Sequence, residues 1–458
     1  MASATTADAF ESPRLPIPHP EEPLLYQIPT GLYPAYRQLS VLTQLATIFL
    51  ALWTSAATTW ARMTWLQPLA IVRGWKKAAS TSELLSFAAK TILLTVVCQT
   101  VLKDIFARPS RVPIQTLLRD YFLPSPLSNY EKLSLSEDET LGVHFLKYES
   151  KNVSTEETSP TFDAIYMNHG FGASSLSWLP VIPSLTERLG AKLCLAHDAP
   201  GFGFTDRPEN LELYTTTSSA RIAKSLLLQT TGSKPRNVAL FGHSLGTIST
   251  LKMALQLPKD TTKFVVLCDP ALGLSRTKSK PSSPKTAKMR SVLSNLGNPI
   301  GSLIRKGLVY PIGGYALRKM VGTKGFWRKG LENAVWGDPK SLRDSDELRY
   351  KWPSIGAGWE KGLMEFSRAQ LSSTVDSGAM QDDKMLFQRV LELPNTRVLV
   401  VHGSSDRIVP SRYIRNFLQE YEGRFSIVEL EGLGHDPFEE DAERFCSVVE
   451  DFLKNSME

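Results

Sequence analysis

The chain has 458 residues, 42% of them hydrophobic, and a formal net charge of +6. It is longer than one minimal domain needs and apolar enough for a large core. The positive charge is spread along the chain rather than gathered into one basic patch, which argues against a nucleic-acid binder.

Residues 1–38 are rich in proline and polar residues, as in "ESPRLPIPHPEEPLLYQIP", and read as an irregular, flexible tail. No basic stretch leads at once into an apolar run, so a secretory signal is not expected. Asp8, Glu11, Glu21 and Glu22 argue against a transit peptide, which is poor in acids. Residues 39–106 then carry two apolar segments. The first, 38–61, holds no charge between Arg37 and Arg62 and is long enough to span a bilayer, with Trp53, Trp60 and Trp65 as interfacial anchors. The second, 84–102, contains Lys90 and has basic flanks on both sides, which favours an interfacial or re-entrant segment. Arg62, Arg73, Lys76 and Lys77 place the intervening loop on the cytosolic side. Basic residues beside apolar segments fit an anionic membrane surface. An intracellular, membrane-associated protein is expected.

The pattern changes from about residue 129. "YEKLSLS" and "GVHFLKYES" alternate around the acidic turn "EDET" and predict an antiparallel hairpin. Six short apolar runs follow, each ending in Gly, Asp or Pro: "FDAIYMNHG", "AKLCLAHDAPG", "NVALFGHS", "KFVVLCDPA", "TRVLVVHGSSD" and "RFSIVELEG". Helical-period segments such as "SARIAKSLLLQT" separate several of them. Strands alternating with helices predict an α/β fold with a mostly parallel sheet covered on both faces. The core is expected over 129–274 and 395–458. The interval 275–394 is too long for a structureless loop in a compact domain and predicts a helical cap, with Trp327, Trp336, Trp352 and Trp359. Its first stretch, "SRTKSKPSSPKTAKMR", reads as a solvated basic loop. Cys98, Cys194, Cys268 and Cys446 lie far apart without a CxxC pair and read as free thiols. No His or Cys residues stand at metal-ligand spacing, so no metal site is expected.

The chemistry centres on Gly242-His243-Ser244-Leu245-Gly246. A GxSxG arises by chance in a chain of this length with probability ~0.15, so context decides. "NVALF" supplies a strand before it and "TISTLKMAL" a helix after it. A sharp strand-to-helix turn lifts a serine hydroxyl above the sheet edge, and the flanking glycines remove side chains that would clash there. Ser244 needs a base. His435, in a loop after a strand and before the last helix, fits that role. His19, His144, His197, His243 and His402 lie in the tail, in strands, or beside the serine with a side chain directed away. The base needs an orienting carboxylate. Asp406 ends "VLVVHGSSD" and is preferred; Asp269, in "LCDPA", competes because it ends the preceding strand. Asp436, next to the histidine, is expected to point elsewhere. The oxyanion needs N–H donors. "HGFGAS" brings His169, Gly170 and Gly172 around Phe171, whose N–H would act with that of Leu245.

These residues resemble the α/β-hydrolase fold family. "HGFGAS", "DAPGFGFTDRP", "GHSLG", "HGSSDRIVP" and "GHDPFEED" occur in the family's order over residues 129–458. The resemblance implies an eight-stranded sheet, a cap inserted after the sixth strand, and Asp198 as a structural turn residue. Members that open epoxides or remove halides carry an aspartate at the nucleophile, where this chain has Ser244. A related acyltransferase subgroup has an aspartate five positions after the histidine; here Glu440 stands there, a departure from that pattern. The expectation is therefore a serine hydrolase that cleaves a carboxylic ester without a cofactor. The apolar N-terminal segments and the tryptophan-rich cap suggest a lipophilic substrate. Thioester, amide or carbon–carbon bond hydrolysis, acyl transfer, or an inactive binding module are the alternatives.

Overall fold

The computed structural model describes residues 127–135, 139–151, 161–232, 234–273, 310–321, 325–356, 358–373 and 379–457. The N-terminal tail, both apolar segments and the basic loop after 274 lie outside the described residues. Among the described residues no helix is long and apolar enough to cross a membrane. The chain divides into two compact units: Met1–Glu22, Val112–Gly297 and Met320–Glu458 form one, Pro23–Arg111 and Asn298–Lys319 the other. Of the second unit, only residues 310–319 are described, all within α4 (Tyr310–Val321). Everything below concerns the first unit.

Its framework is one eight-stranded sheet: β1 (Ser128–Ser134), β2 (Thr140–Glu149), β3 (Ala164–Asn168), β4 (Leu193–His197), β5 (Asn237–His243), β6 (Thr262–Cys268), β7 (Thr396–Gly403) and β8 (Ser426–Leu430). The spatial order is β1-β2-β4-β3-β5-β6-β7-β8. The predicted hairpin pairs antiparallel, with Ser128 opposite Leu146, and β2 also runs antiparallel to β4. The remaining neighbours are parallel. Each of the eight apolar runs read from the sequence is a strand. The central ones are buried on both faces, which is why they read as continuous apolar runs rather than as alternation.

Helices α1 (Ile182–Arg188), α2 (Thr216–Thr231), α3 (Gly246–Gln256), α8 (Ala379–Leu391), α9 (Ser411–Leu418) and α11 (Ala442–Met457) cover the two faces, while α5 (Phe326–Gly330), α6 (Asp344–Lys351), α7 (Trp359–Ser373) and the short α10 (Pro437–Glu440) lie apart from them. Successive strand residues point to opposite faces. Ala164, Tyr166, Val238, Leu240, Val265 and Leu267 therefore meet Ile222 and Leu226 of α2 and Leu251 of α3 in one core. On the other face Phe264 stacks on Phe452 of α11, and Trp178 packs edge-on to Phe241. Thr215 caps α2 by accepting the Ser218 N–H, and Gly232, at φ 64°, ends it.

The interval expected as cap has two parts. Residues 325–356 and 358–373 carry a series of short helices joined by turns; Leu331, Trp336, Leu342 and Tyr350 pack there around Ala173. Helix α8 instead belongs to the sheet's own layer. Its Phe387 and Val390 are fully buried in the main core, with Phe387 against Phe417, Tyr421 and Phe425. A helical period alone does not say which surface its apolar face covers, so the cap interval absorbed a core helix. Trp336, Trp352 and Trp359 are buried, and they fill the interior rather than offer a lipophilic surface. Phe387→Ala is expected to cost about 3–5 kcal/mol in chemical denaturation, as a core truncation does; a cost under ~1 kcal/mol would place α8 outside the core.

Candidate active site

Ser244 lies between β5 and α3 with a φ of 49°, in the left-handed region a non-glycine residue rarely adopts. The turn is held from several sides. The Ser244 N–H donates to the Cys268 carbonyl at 2.9 Å, and the Ser244 carbonyl accepts from Thr247 and Ala271, both at 3.2 Å. The two flanking glycines are steric necessities. A Cβ on Gly242 would stand 2.5 Å from Thr250 Oγ1, and one on Gly246 only 2.4 Å from the His169 carbonyl oxygen. The helix N-terminus that follows directs its dipole at the serine.

His435 follows β8 and Asp406 follows β7. His435 Nδ1 and Asp406 Oδ2 are 2.7 Å apart, both side chains nearly enclosed. Burial pushes the Asp406 carboxyl up. The bond from His435 and the N–H groups of Val409 and Ile408 outweigh burial, so its pKa lies below the ordinary aspartate value. Its charge therefore persists at neutral pH and fixes the imidazole proton on Nδ1, leaving Nε2 as the basic nitrogen.

The competing acid, Asp269, also ends its strand in the left-handed region, at φ 42°. Its Oδ1 accepts the Gly403 N–H at 2.8 Å. Ligand-type atoms of Asp269, Asp406 and His435 lie within 4.8 Å of one another. Burial and the Asp406 charge push the Asp269 carboxyl well above the ordinary value. Its ionisation is thus disfavoured beside the Asp406 carboxylate, and it is Asp406 that makes the short contact to His435.

The predicted oxyanion loop follows β3. Gly170 packs so close to Ser244 that a Cβ on it would lie 2.9 Å from the serine Cβ. Gly172 has a φ of 80°, which suits glycine. Neither the Phe171 N–H nor the Leu245 N–H has a hydrogen-bond partner among the described residues. Both residues line one cavity with His169, Gly170 and Gly246. His169 Nε2 accepts the Ala199 N–H at 3.0 Å, so its Nδ1–H donates to the Gly170 carbonyl at 2.8 Å. Burial lowers its pKa and keeps it neutral. Asp198 binds the N–H groups of Ser175 and Phe204 and the His144 ring, all at 2.7 Å, and so ties loops together.

A second polar layer was not legible in the sequence. His243 Nε2 donates to the His435 carbonyl at 3.0 Å and lies 2.9 Å from Asp436 Oδ1. Burial opposes a charge on His243, but Asp436 overcomes it and raises its pKa above the ordinary value. Burial likewise opposes the Asp436 charge, and His243 outweighs it, holding that carboxyl down to about 2. Tyr350 Oη, from α6, is 2.6 Å from Asp436 Oδ2 and 2.7 Å from Glu439 Oε1. One hydroxyl proton cannot serve two carboxylates. Burial pushes Glu439 up to about 7 with help from the Asp436 charge and against the pull of Arg349, so of the two carboxyls it is the one that takes up a proton more readily. Buried Arg349 bonds to both Asp346 and Glu439. The sequence did give one signal. His243 and Asp436 were both set aside for pointing away from the reacting atoms, and they point at each other.

Glu440 fastens the cap to the same loop. Its two oxygens accept the N–H groups of Gly337 and Gly434, each at 2.8 Å, and the His435 N–H donates to the Val335 carbonyl at 2.7 Å. Burial pushes the Glu440 carboxyl up to about 7. A raised carboxyl pKa means that the folded chain binds this proton more tightly. The stabilisation is complete below the unfolded value near 4.5 and is lost as pH rises through about 7. Wild type should therefore lose stability relative to Glu440→Gln between those limits, by no more than ~3 kcal/mol, in thermal melts across pH.

Comparison with known proteins bears on the family and the fold. A family model described as the alpha/beta hydrolase family matches residues 169–448. An uncharacterized protein of Mycobacterium tuberculosis is 26% identical over 294 residues, covering 63% of this chain and 75% of its own. An uncharacterized hydrolase of Bacillus subtilis is 32% identical over 100 residues, 22% of this chain and 34% of its own. The Cif epoxide hydrolase of Acinetobacter nosocomialis shares the fold, with a TM-score of 0.51 at 14% identity, covering 72% of this chain and 90% of its own. With an eight-stranded sheet in this order and a family match over more than half its length, the chain belongs to the α/β-hydrolase family and is a hydrolase.

Proposed function

We propose that the protein is a serine hydrolase that cleaves a carboxylic ester of a lipophilic molecule through an acyl-enzyme. The observation that carries this reading is the 2.7 Å contact between His435 Nδ1 and ionised Asp406, with the histidine's ring 4.7 Å from that of His243, the residue before the strained serine. Ser244 Oγ attacks the ester carbonyl carbon while its proton passes to His435 Nε2. The carbonyl oxygen becomes an oxyanion facing the N–H groups of Phe171 and Leu245. Asp406 stabilises the imidazolium. The C–O bond to the alcohol breaks, and His435 returns the proton to the departing oxygen. Water then gives a proton to His435 as it attacks the acyl carbon; the bond to Ser244 Oγ breaks, His435 returns the proton to that oxygen, and the acid leaves.

Support for a lipophilic substrate comes from the cavity at Leu245, where Phe171, Phe202 and Phe366 stand 4.6–5.9 Å apart. The apolar segments at 38–61 and 84–102 support a membrane-associated enzyme that meets such a substrate at the bilayer.

A fluorophosphonate probe should label wild type and not Ser244→Ala, and the variant should lose at least ~10³-fold in ester hydrolysis. Equal labelling of both proteins would remove Ser244 from the mechanism. Deleting residues 1–106 should move the protein from the membrane pellet to the supernatant; a truncated chain that still pellets would refute the anchor.

A further inference from the structure

The lining of the cavity beside Leu245 mixes two kinds of residue, and the ester-hydrolysis reading uses only one. Phe171, Phe202 and Phe366 are apolar; Thr216, Ser219 and Ser249 carry hydroxyls. Both Ser219 and Ser249 line the cavity and are only 6% and 4% exposed.

The protons of these hydroxyls can be placed by accounting for every partner. His197 lies behind Ser219, with Nε2 at 3.3 Å from Ser219 Oγ and Nδ1 at 3.0 Å from Tyr166 Oη. Burial pushes the His197 pKa down to about 3, so the ring is neutral and carries a single N–H. The buried Tyr166 hydroxyl has no other partner among the described residues, so its proton goes to Nδ1. The ring proton is then on Nε2 and is donated to Ser219 Oγ. Ser219 already accepts, and its own proton has no acceptor in the described protein. Thr216 repeats the pattern. Lys252 Nζ donates to Thr216 Oγ1 at 2.8 Å, leaving the threonine proton to be given elsewhere. Ser249 Oγ has no hydrogen-bond partner among the described residues.

The geometry points to a subsite for a second oxygen of the substrate: the ester arm that enters this cavity carries a carbonyl or ether oxygen, received by Ser219 with Thr216 and Ser249. This rests on the esterase reading above and names the substrate class within it. A purely alkyl arm would strip water from three hydroxyl donors and return no acceptor, which costs free energy for each donor left unpaired. A site built to hydrogen-bond one substrate group discriminates against the analogue lacking it far more sharply than an apolar slot discriminates by size.

The test compares pairs of p-nitrophenyl esters of equal chain length. One has an all-carbon acyl chain; in the other a methylene is replaced by an ether oxygen or oxidised to a ketone. Each rate is divided by the hydroxide-catalysed rate of the same ester, which removes the electronic activation of the carbonyl. Full-length wild type should prefer the oxygenated partner by about tenfold in kcat/KM, the worth of one to two hydrogen bonds. In Ser219→Ala and in Ser249→Ala that ratio should fall towards one. Equal rates or an alkyl preference in wild type overturns the subsite, as does a ratio unchanged in both variants. Fluorophosphonate labelling of the same preparations separates the two claims. Labelled wild type without an oxygen preference removes the subsite alone, whereas unlabelled wild type removes the esterase reading on which it stands.

Discussion

The left-handed turn at Ser244 is the constraint on which the rest of the site depends. Holding a non-glycine residue there costs about 1–3 kcal/mol and persists only where its surroundings over-determine it. Here the turn is bound to the neighbouring strand through Cys268 and to the following segment through Ala271, while Gly242 and Gly246 let a helix and the β3 loop close in. The adjoining strand end is strained in the same sense, since Asp269 also has a positive φ. Two adjacent strands thus end in strained residues, and the sheet's parallel register brings both to the edge where β7 and β8 deliver Asp406 and His435. Open α/β sheets gather chemistry at the carboxyl ends of their strands, and the order here reverses at β3, beside the cavity.

Charge is layered beneath that edge. Asp406 sits against His435, and Asp436 against His243. Asp269 beside the first pair and Glu439 beside the second have raised pKa values. In each layer one carboxyl is held low because a histidine pairs with it, and a second is pushed up by burial and its charged neighbour. Removing one member of such a buried pair strands the other, which costs more than the pair itself contributes. The layers therefore fix the protonation pattern around His435 as firmly as they fix its position.

The sequence made the strands and the order of the serine, aspartate and histidine loops legible, because both are local: a short apolar run, a turn residue, a strand end. It was less informative wherever burial depends on distant packing. Arg349 lies in the charged stretch "DSDELRYK", where nothing local marks it for the interior, yet the side chain is buried between Asp346 and Glu439. Helix α8 carries a helical period that fits a cap or a core equally, and only its contact with α9 decides. Tryptophans 336, 352 and 359 are buried, and composition alone does not distinguish such an interior from a substrate-facing surface. Ser219 gave no signal, since its significance comes from a histidine and a tyrosine on two different strands.

The backbone bond from His435 to Val335 and the double grip of Glu440 make the cap part of the histidine's own support. Caps in this architecture are insertions and look exchangeable in a chain diagram. In this protein an exchanged cap would have to supply a carbonyl at the position of Val335 and an N–H at that of Gly337, or the histidine loop would lose its outer wall. Sequence drift in the cap and in the loop is thereby coupled, and a chimera that preserves every site residue can still fail through the one amide it does not replace.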